Sequence, residues 1–516
     1  MGNNHSTLAR RSVVGGALGA AVTLWAGPAA AGAGAGAQPS WGSYPFTLGV
    51  ASGAPRPDGV VLWTRLAPAP LQADGGMPPH TVTVKWQVAE DEHFTRIVRQ
   101  GRALARPDDA HSVHVDVHGL RPDRWYHYRF GSGTAISRTG RTRTLPAPGA
   151  RVSALRLALA SCQRYEHGYY SAYRHMAAQN PDVVVHLGDY IYENTLTGPR
   201  LEAMPTALRT TATDLTAYRL RHSLYRLDPD LQEAHAAAPW LLILDNHDAV
   251  EDGTTTASML ARRVAAYRAY YEHLPLSPQS RPNGPSMRIH DKIDYGRLLR
   301  LHLLDTRQHR DTEQICGGSS IVGEACPAIS AQQRTMLGAQ QERWLRHSMG
   351  SSRTTWNALT QTVLFAPYKF RSGDDTSSIY YASWDGYTAA RRRLLDDIAT
   401  QRPSNPVMLS GDWHTAWVNS VPAQMQDLDG PPVMTEFLTT GISSNPAYTS
   451  ALAKPSLAGN PQVHYYDEHC GYTLCTVTPG TWETTFVTAD TTARTAPVMA
   501  TASWTVESGH PQAHRA

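Results

Sequence analysis

The chain has 516 residues, 41% hydrophobic and 18% charged, with a formal net charge of +3. That length calls for two domains or more, the composition is that of a soluble globular protein, and the near-neutral balance, without a basic stripe, excludes a nucleic-acid partner. The 23 histidines are many, and several stand beside Asp in turn-like contexts, which favours metal or phosphate chemistry.

Arg10-Arg11 stands directly before an apolar run from Val13 to Ala31, followed by several A-x-A-like sites between Ala29 and Ala37. The pattern resembles a twin-arginine export signal over residues 1–37, and predicts a cleaved, secreted protein handed to the twin-arginine export machinery. The run is too rich in Gly and Ala to anchor well, and no transmembrane span follows it.

Residues 42–145 read as strands: PFTLGVASG, GVVLWTRL, TVTVKWQVAED and HSVHVDVHGL, each bounded by Gly, Pro or Asp. The turn GLRP leading to Tyr126 and Tyr128 resembles the tyrosine corner of fibronectin-type sandwiches, so a small β-sandwich domain without catalytic clusters is expected. A Pro/Gly linker, LPAPGA, ends it near residue 150.

From residue 151 to about 506 strands alternate with helices, in an α/β pattern that suggests a four-layer α/β/β/α core. Helices are predicted over Gly168–Asn180, Asp214–Arg226, Ala257–Tyr271 and Ser330–Met349, the last with Ser330 as N-cap. Short apolar strands end in Ala160-Ser161-Cys162-Gln163, in Gly188-Asp189-Tyr190-Ile191-Tyr192, in Asp245-Asn246-His247-Asp248, and in Ser410-Gly411-Asp412-Trp413-His414. If these strands are parallel, all four ends meet at one edge of a sheet, where α/β proteins place ligands. Carboxylate, phenol, amide and imidazole converging there make a hard, oxygen-rich site for a highly charged cation. For Cys162 alone, a buried inert thiol is the simpler reading. Five cysteines leave at least one unpaired in a monomer, the expected state. Cys316 and Cys326 bracket a Gly-rich loop and could close it; Cys470 and Cys475 flank Gly471 and could pair across a turn.

The order G-D-x-x-Y, N-H-[DE], G-[HD]-x-H resembles the metallophosphoesterases of the purple acid phosphatase type. The alkaline phosphatase D family is the nearer resemblance. It rests on PFTLGVASGAPRPDGVVLWTRL, ASCQ, HLGDYIYE, DNHDAVEDG, LDTRQHRD, SWDGYTAARRRLL, SGDWHTAW, EFLTTGISSNP and GYTLCTVTP, across residues 40–490. Ala54, Asn246, Asp248, Trp413, Cys470 and Cys475 depart from the family pattern. The resemblance implies Fe(III) held by Cys162 as thiolate, Tyr192 as phenolate and His414, with Asp189 bridging to Ca2+ on Asn246 and Asp412, and Asp248 as a further calcium candidate. It implies hydrolysis of phosphomonoesters or phosphodiesters by a metal-bound hydroxide. His247 then serves as proton donor or phosphate ligand, or only caps a helix. Arg307 and Arg164 are candidate phosphate clamps, and Asp385 and Glu436 are metal ligands, acids that support the ligands, or only backbone caps. A phospholipase D-like phosphodiesterase and a non-catalytic cell-wall or phosphate-binding protein on the same fold are the alternatives.

Overall fold

Three short strands set the frame: Leu155–Ala160, Val183–His186 and Pro239–Leu242. They pair in parallel, Val184 opposite Ala158 on one side and Trp240 on the other. Val183–His186 is buried throughout because both its edges are paired and both its faces are covered. This computed structural model describes residues 40–249, 256–317, 322–372 and 376–516. The export signal expected over residues 1–37 lies outside them. Among the described residues no helix is long and apolar enough to cross a membrane.

The three strands are the middle of a ten-stranded sheet. On one side they continue antiparallel into Gly471–Val477, Thr481–Ala489 and Val498–Glu507. On the other, Val50–Arg56 pairs in parallel with Pro239–Leu242 and carries Gly59–Arg65 and Ser112–Val117 with it. Strands from the first part of the chain are thus hydrogen-bonded into the sheet that bears the candidate site. They also form one face of a sandwich. Val60, Leu62, Val113 and Val115 share a core with Val84, Val88, Tyr126 and Phe130 of a separate five-stranded sheet. The Tyr126 hydroxyl accepts from the Arg121 amide at 3.0 Å, the bond that defines a tyrosine corner.

A second, seven-stranded sheet packs face to face on the first. Its parallel strands are Leu299–Leu303, Trp356–Thr360, Pro406–Ser410 and Pro432–Leu438. Side chains alternate along them as a pleat requires. Ala358, Val407 and Leu409 point into the core between the sheets, while Leu359 and Met408 meet the helices Gly338–Gly350 and Thr388–Gln401 on the far side. The helices Ser171–Ala178, Leu215–Arg226, Pro229–Ala237 and Ala257–His273 pack on the first sheet. The result is the four-layer α/β/β/α core with an N-terminal β domain.

Three expectations need correction. The four strand ends do not lie on one sheet: Pro406–Ser410, which carries Asp412 and His414, belongs to the second. Ser330 does not cap a helix; its hydroxyl donates to Pro327 O and closes a short 3-10 turn, and the helix starts at Gly338, whose amide donates to Thr335 Oγ1. Cys316–Cys326 is a disulfide, but Cys470 and Cys475 are free. No turn separates those two. Gly471–Val477 is a strand, so five extended residues hold them roughly 17 Å apart, far beyond the roughly 7 Å a bridge allows.

Candidate metal centre

The carboxyl ends of strands from both sheets close on one cavity of about 240 Å³. Cys162, Asp189 and His414 place Sγ, a carboxylate oxygen and a ring nitrogen within 4.8 Å of one another. Tyr192 joins them, its Oη 3.0 Å from His414 Nε2. Asn246, His247, Asp412 and Arg164 line the same cavity. Leu196, Phe370, Tyr380, Trp413 and Leu452 form an apolar wall across it.

The backbone reaches this geometry by turning sharply at each strand end. Cys162, Asp189, Asp412 and His414 have φ of 53°, 54°, 70° and 53°, the left-handed region that non-glycine residues avoid. Each such residue costs about 1–3 kcal/mol, and four around one cavity are strain that the surrounding structure must hold. Gly188, at φ 89°, makes the crossing possible: a Cβ there would lie 2.4 Å from Asp245 Cβ.

The donors are crowded and dry. Burial pushes the Cys162 thiol well up, and Asp189 and Asp245 add to the rise. Burial also raises the Asp412 carboxyl, with Asp245 adding and Arg307 opposing. Asp189 is raised first by burial, against the pull of His247. Burial alone would lower His247; the Asp189 charge and the hydrogen bond to Glu193 outweigh it and carry it to about 9. Anionic donors this close and this buried call for a cation to compensate them, and they fit one. Thiol, phenol, imidazole and carboxylate together suit a trivalent transition metal, while Asn246 and Asp412 offer the oxygens a harder divalent ion takes.

His247, partly exposed on the cavity wall, is held at Nδ1 by Glu193 Oε2 at 2.6 Å, and its ring lies 4.3 Å from that of Tyr192. Arg164 bonds Glu166 and Asn194 at 3.0 Å and lays its guanidinium 3.8 Å over the Tyr192 ring. Two of the candidate residues are engaged in other contacts. Asp248 does not line the cavity. Its oxygens accept from the amides of Tyr190, Ile191 and Asp245, the last a capping-box bond at the start of the short helix Asn246–Ala249. Arg307 does not line it either. Its guanidinium is buried against Asp245 and reaches Asp412 at 3.0 Å, as a counter-ion to both carboxylates would. Asp385 and Glu436 are backbone acceptors: Asp385 takes the Tyr368 amide, Glu436 those of Phe365 and Ala366.

Reading the sequence for ligands passes over Asp245, Glu193 and Ser444. Asp245 holds Arg307 with one oxygen, and its buried Oδ2 has no hydrogen-bond partner among the described residues. Glu193 ends the HLGDYIYE run and Ser444 lies in EFLTTGISSNP, so both stand inside a motif that assigns them no role.

The sequence model of the PhoD-like phosphatase family matches residues 157–486, and that of the PhoD-like phosphatase N-terminal domain matches residues 30–146. The chain belongs to the PhoD-like phosphatase family. It is a phosphoester hydrolase, which sets aside the non-catalytic alternative. Alkaline phosphatase D of Bacillus subtilis (strain 168) is 44% identical over 465 residues, 87% of this chain and 78% of that protein. The solved structure of PhoD superposes with a TM-score of 0.85 at 40% identity, covering 92% of this chain and 93% of that one. In this PhoD-like phosphatase the strand ends, and not the sandwich, carry Asp189, Tyr192, Asn246, His247, Asp412 and His414 on the cavity's polar side.

Proposed function

We propose that the protein is a secreted, metal-dependent phosphoesterase, with iron on Cys162, Tyr192, His414 and Asp189, and calcium on Asp189, Asn246 and Asp412. The observation that carries this reading is the meeting of Sγ, carboxylate and imidazole within 4.8 Å, with the Tyr192 phenol beside them. Bound cations would hold phosphate oxygens and make water nucleophilic there. His247, fixed by Glu193 at Nδ1, keeps Nε2 for the substrate, and its protonated form donates to the leaving alkoxide. Arg164 brings positive charge to the cavity wall while holding Tyr192 in place. Residues 42–145 would contribute stability and access, since none of them lines the cavity.

The apolar wall of Leu196, Phe370, Tyr380, Trp413 and Leu452 favours a phospholipase D-like second reading, in which a diester presents an apolar substituent. One experiment separates these readings. Purified protein is analysed for metals and assayed on a monoester, a diester and phosphatidylcholine. Iron and calcium with turnover of a small phosphoester support the first; strong preference for phosphatidylcholine supports the second. Zinc without iron overturns the ligand assignment. A calcium chelator is expected to remove activity before it removes iron. Export is tested apart: Arg10→Lys with Arg11→Lys should leave folded protein in the cytoplasm, and efficient secretion of that variant would exclude the twin-arginine route.

A further inference from the structure

The segment 440–445, TGISSN, is stitched to the site more densely than any ligand candidate requires. The Ile442 amide donates to Ser161 O at 2.8 Å and the Ser444 amide to Cys162 O at 3.2 Å. Thr440 Oγ1 donates to His414 O, and Ser443 Oγ to Arg164 O at 2.8 Å. Gly441 lets this happen, because a Cβ there would meet Cys162 O at 3.0 Å.

Two adjacent residues of this segment grip both members of the Tyr192–His414 pair, and the bonds at the two ends have fixed directions. The Arg164 amide can only donate, and it donates to Ser444 Oγ at 3.2 Å. The Ser444 proton then goes to Tyr192 Oη, 2.8 Å away. At the other end the Asn445 carbonyl can only accept, so His414 Nδ1, at 3.1 Å, carries a hydrogen. Neutral His414 then has a bare Nε2 that accepts, 3.0 Å from the Tyr192 oxygen, with the Asp189 carboxylate as the second acceptor within reach of the Tyr192 proton. The chain is anchored at a backbone N–H on one end and a backbone C=O on the other.

We infer that Ser444 is a positioning residue for the metal centre. Its hydroxyl orients the Tyr192 oxygen so that Tyr192 and His414 present themselves as one preformed donor pair. The inference rests on the reading that these two residues bind the same cation. With a cation bound, Tyr192 would release its proton to solvent and hold the cation with His414, and Ser444 would go on donating to the Tyr192 oxygen.

The test uses full-length, metal-replete protein and reads the tyrosinate itself. In the wild type, the phenolate C–O stretch seen by resonance Raman should shift in D2O, since that oxygen accepts an exchangeable hydrogen bond. Ser444→Ala should move the tyrosinate charge-transfer band and speed metal loss to a chelator by about 10–100-fold, the range for removing a group that orients a ligand. Ser443→Ala, which loses only the bond to Arg164 O, should leave the band in place. In a Tyr192→Phe background Ser444→Ala should add nothing, the mark of a residue acting through Tyr192. Absence of the D2O shift, or an unchanged band and rate in Ser444→Ala, overturns the inference while leaving the metal assignment standing. Absence of any tyrosinate band in metal-replete wild type overturns both.

Discussion

Cys162→Ser is expected to strip the protein of iron and colour and to lower turnover by a hundred-fold or more, while the fold stays intact. The thiol is buried and pushed well up in its ionisation, first by burial and then by Asp189 and Asp245. Only a cation makes the thiolate the stable form there. Serine matches the shape, but its hydroxyl is far less acidic than a thiol of ordinary pKa about 8.5, so the charge balance of the donor set is lost. Changing a residue that merely orients a ligand already lowers metal affinity by about 10–100-fold, and removal of a ligand exceeds that. The backbone of Cys162 stays held: its amide donates to Gly188 O at 3.1 Å and its carbonyl accepts from Ser444 N at 3.2 Å. Thermal unfolding of metal-free protein should therefore match that of metal-free wild type. Elemental analysis, the visible spectrum and steady-state rates check the rest. Full activity in Cys162→Ser would make Cys162 a structural thiol.

Local pattern told much of this site because each element signals itself locally. Val183, Val184 and Val185 announce a buried strand, and Gly188-Asp189 announces the turn that ends it. What local pattern does not hold is which strand pairs with which. Cys162 and Asp189 sit on one sheet and Asp412 and His414 on the other, and only the packing of the two sheets joins them. The same blindness explains Asp248. In sequence it is one more acid at a strand end; in space three amides face it. Cys470 and Cys475 looked like partners across a turn because Gly471 lies between them, yet Gly471 pairs with Thr488 and the strand runs on. The helix Pro229–Ala237 carries only a weak apolar stripe, Leu231 and Ala234 facing the core, and local pattern does not mark it.

Arg307→Ala distinguishes the two roles this residue can have, and the expected loss is in stability. A phosphate clamp, when removed, raises KM and leaves the melting temperature where it was. A buried counter-ion, when removed, leaves uncompensated charge, at about 3–5 kcal/mol. Arg307 is 4% exposed as a residue, bonded to Asp245 and 3.0 Å from Asp412, and it is absent from the cavity lining. The second outcome is therefore expected: a falling fraction folded in metal-free protein, and a low kcat in metal-replete protein because Asp412 loses its orientation. The pH dependence gives an independent sign. The folded-state Asp412 carboxyl lies above its ordinary value, through burial and Asp245, with Arg307 opposing the rise. A carboxyl raised in the folded state favours folding when protonated, and that contribution fades as pH rises through its folded pKa. Without Arg307 the rise is larger. The melting gap between Arg307→Ala and wild type, both metal-free, should then narrow as pH falls from neutrality toward about 4, the ordinary carboxylate range. Equal melting temperatures at neutral pH together with a raised KM would return Arg307 to the phosphate.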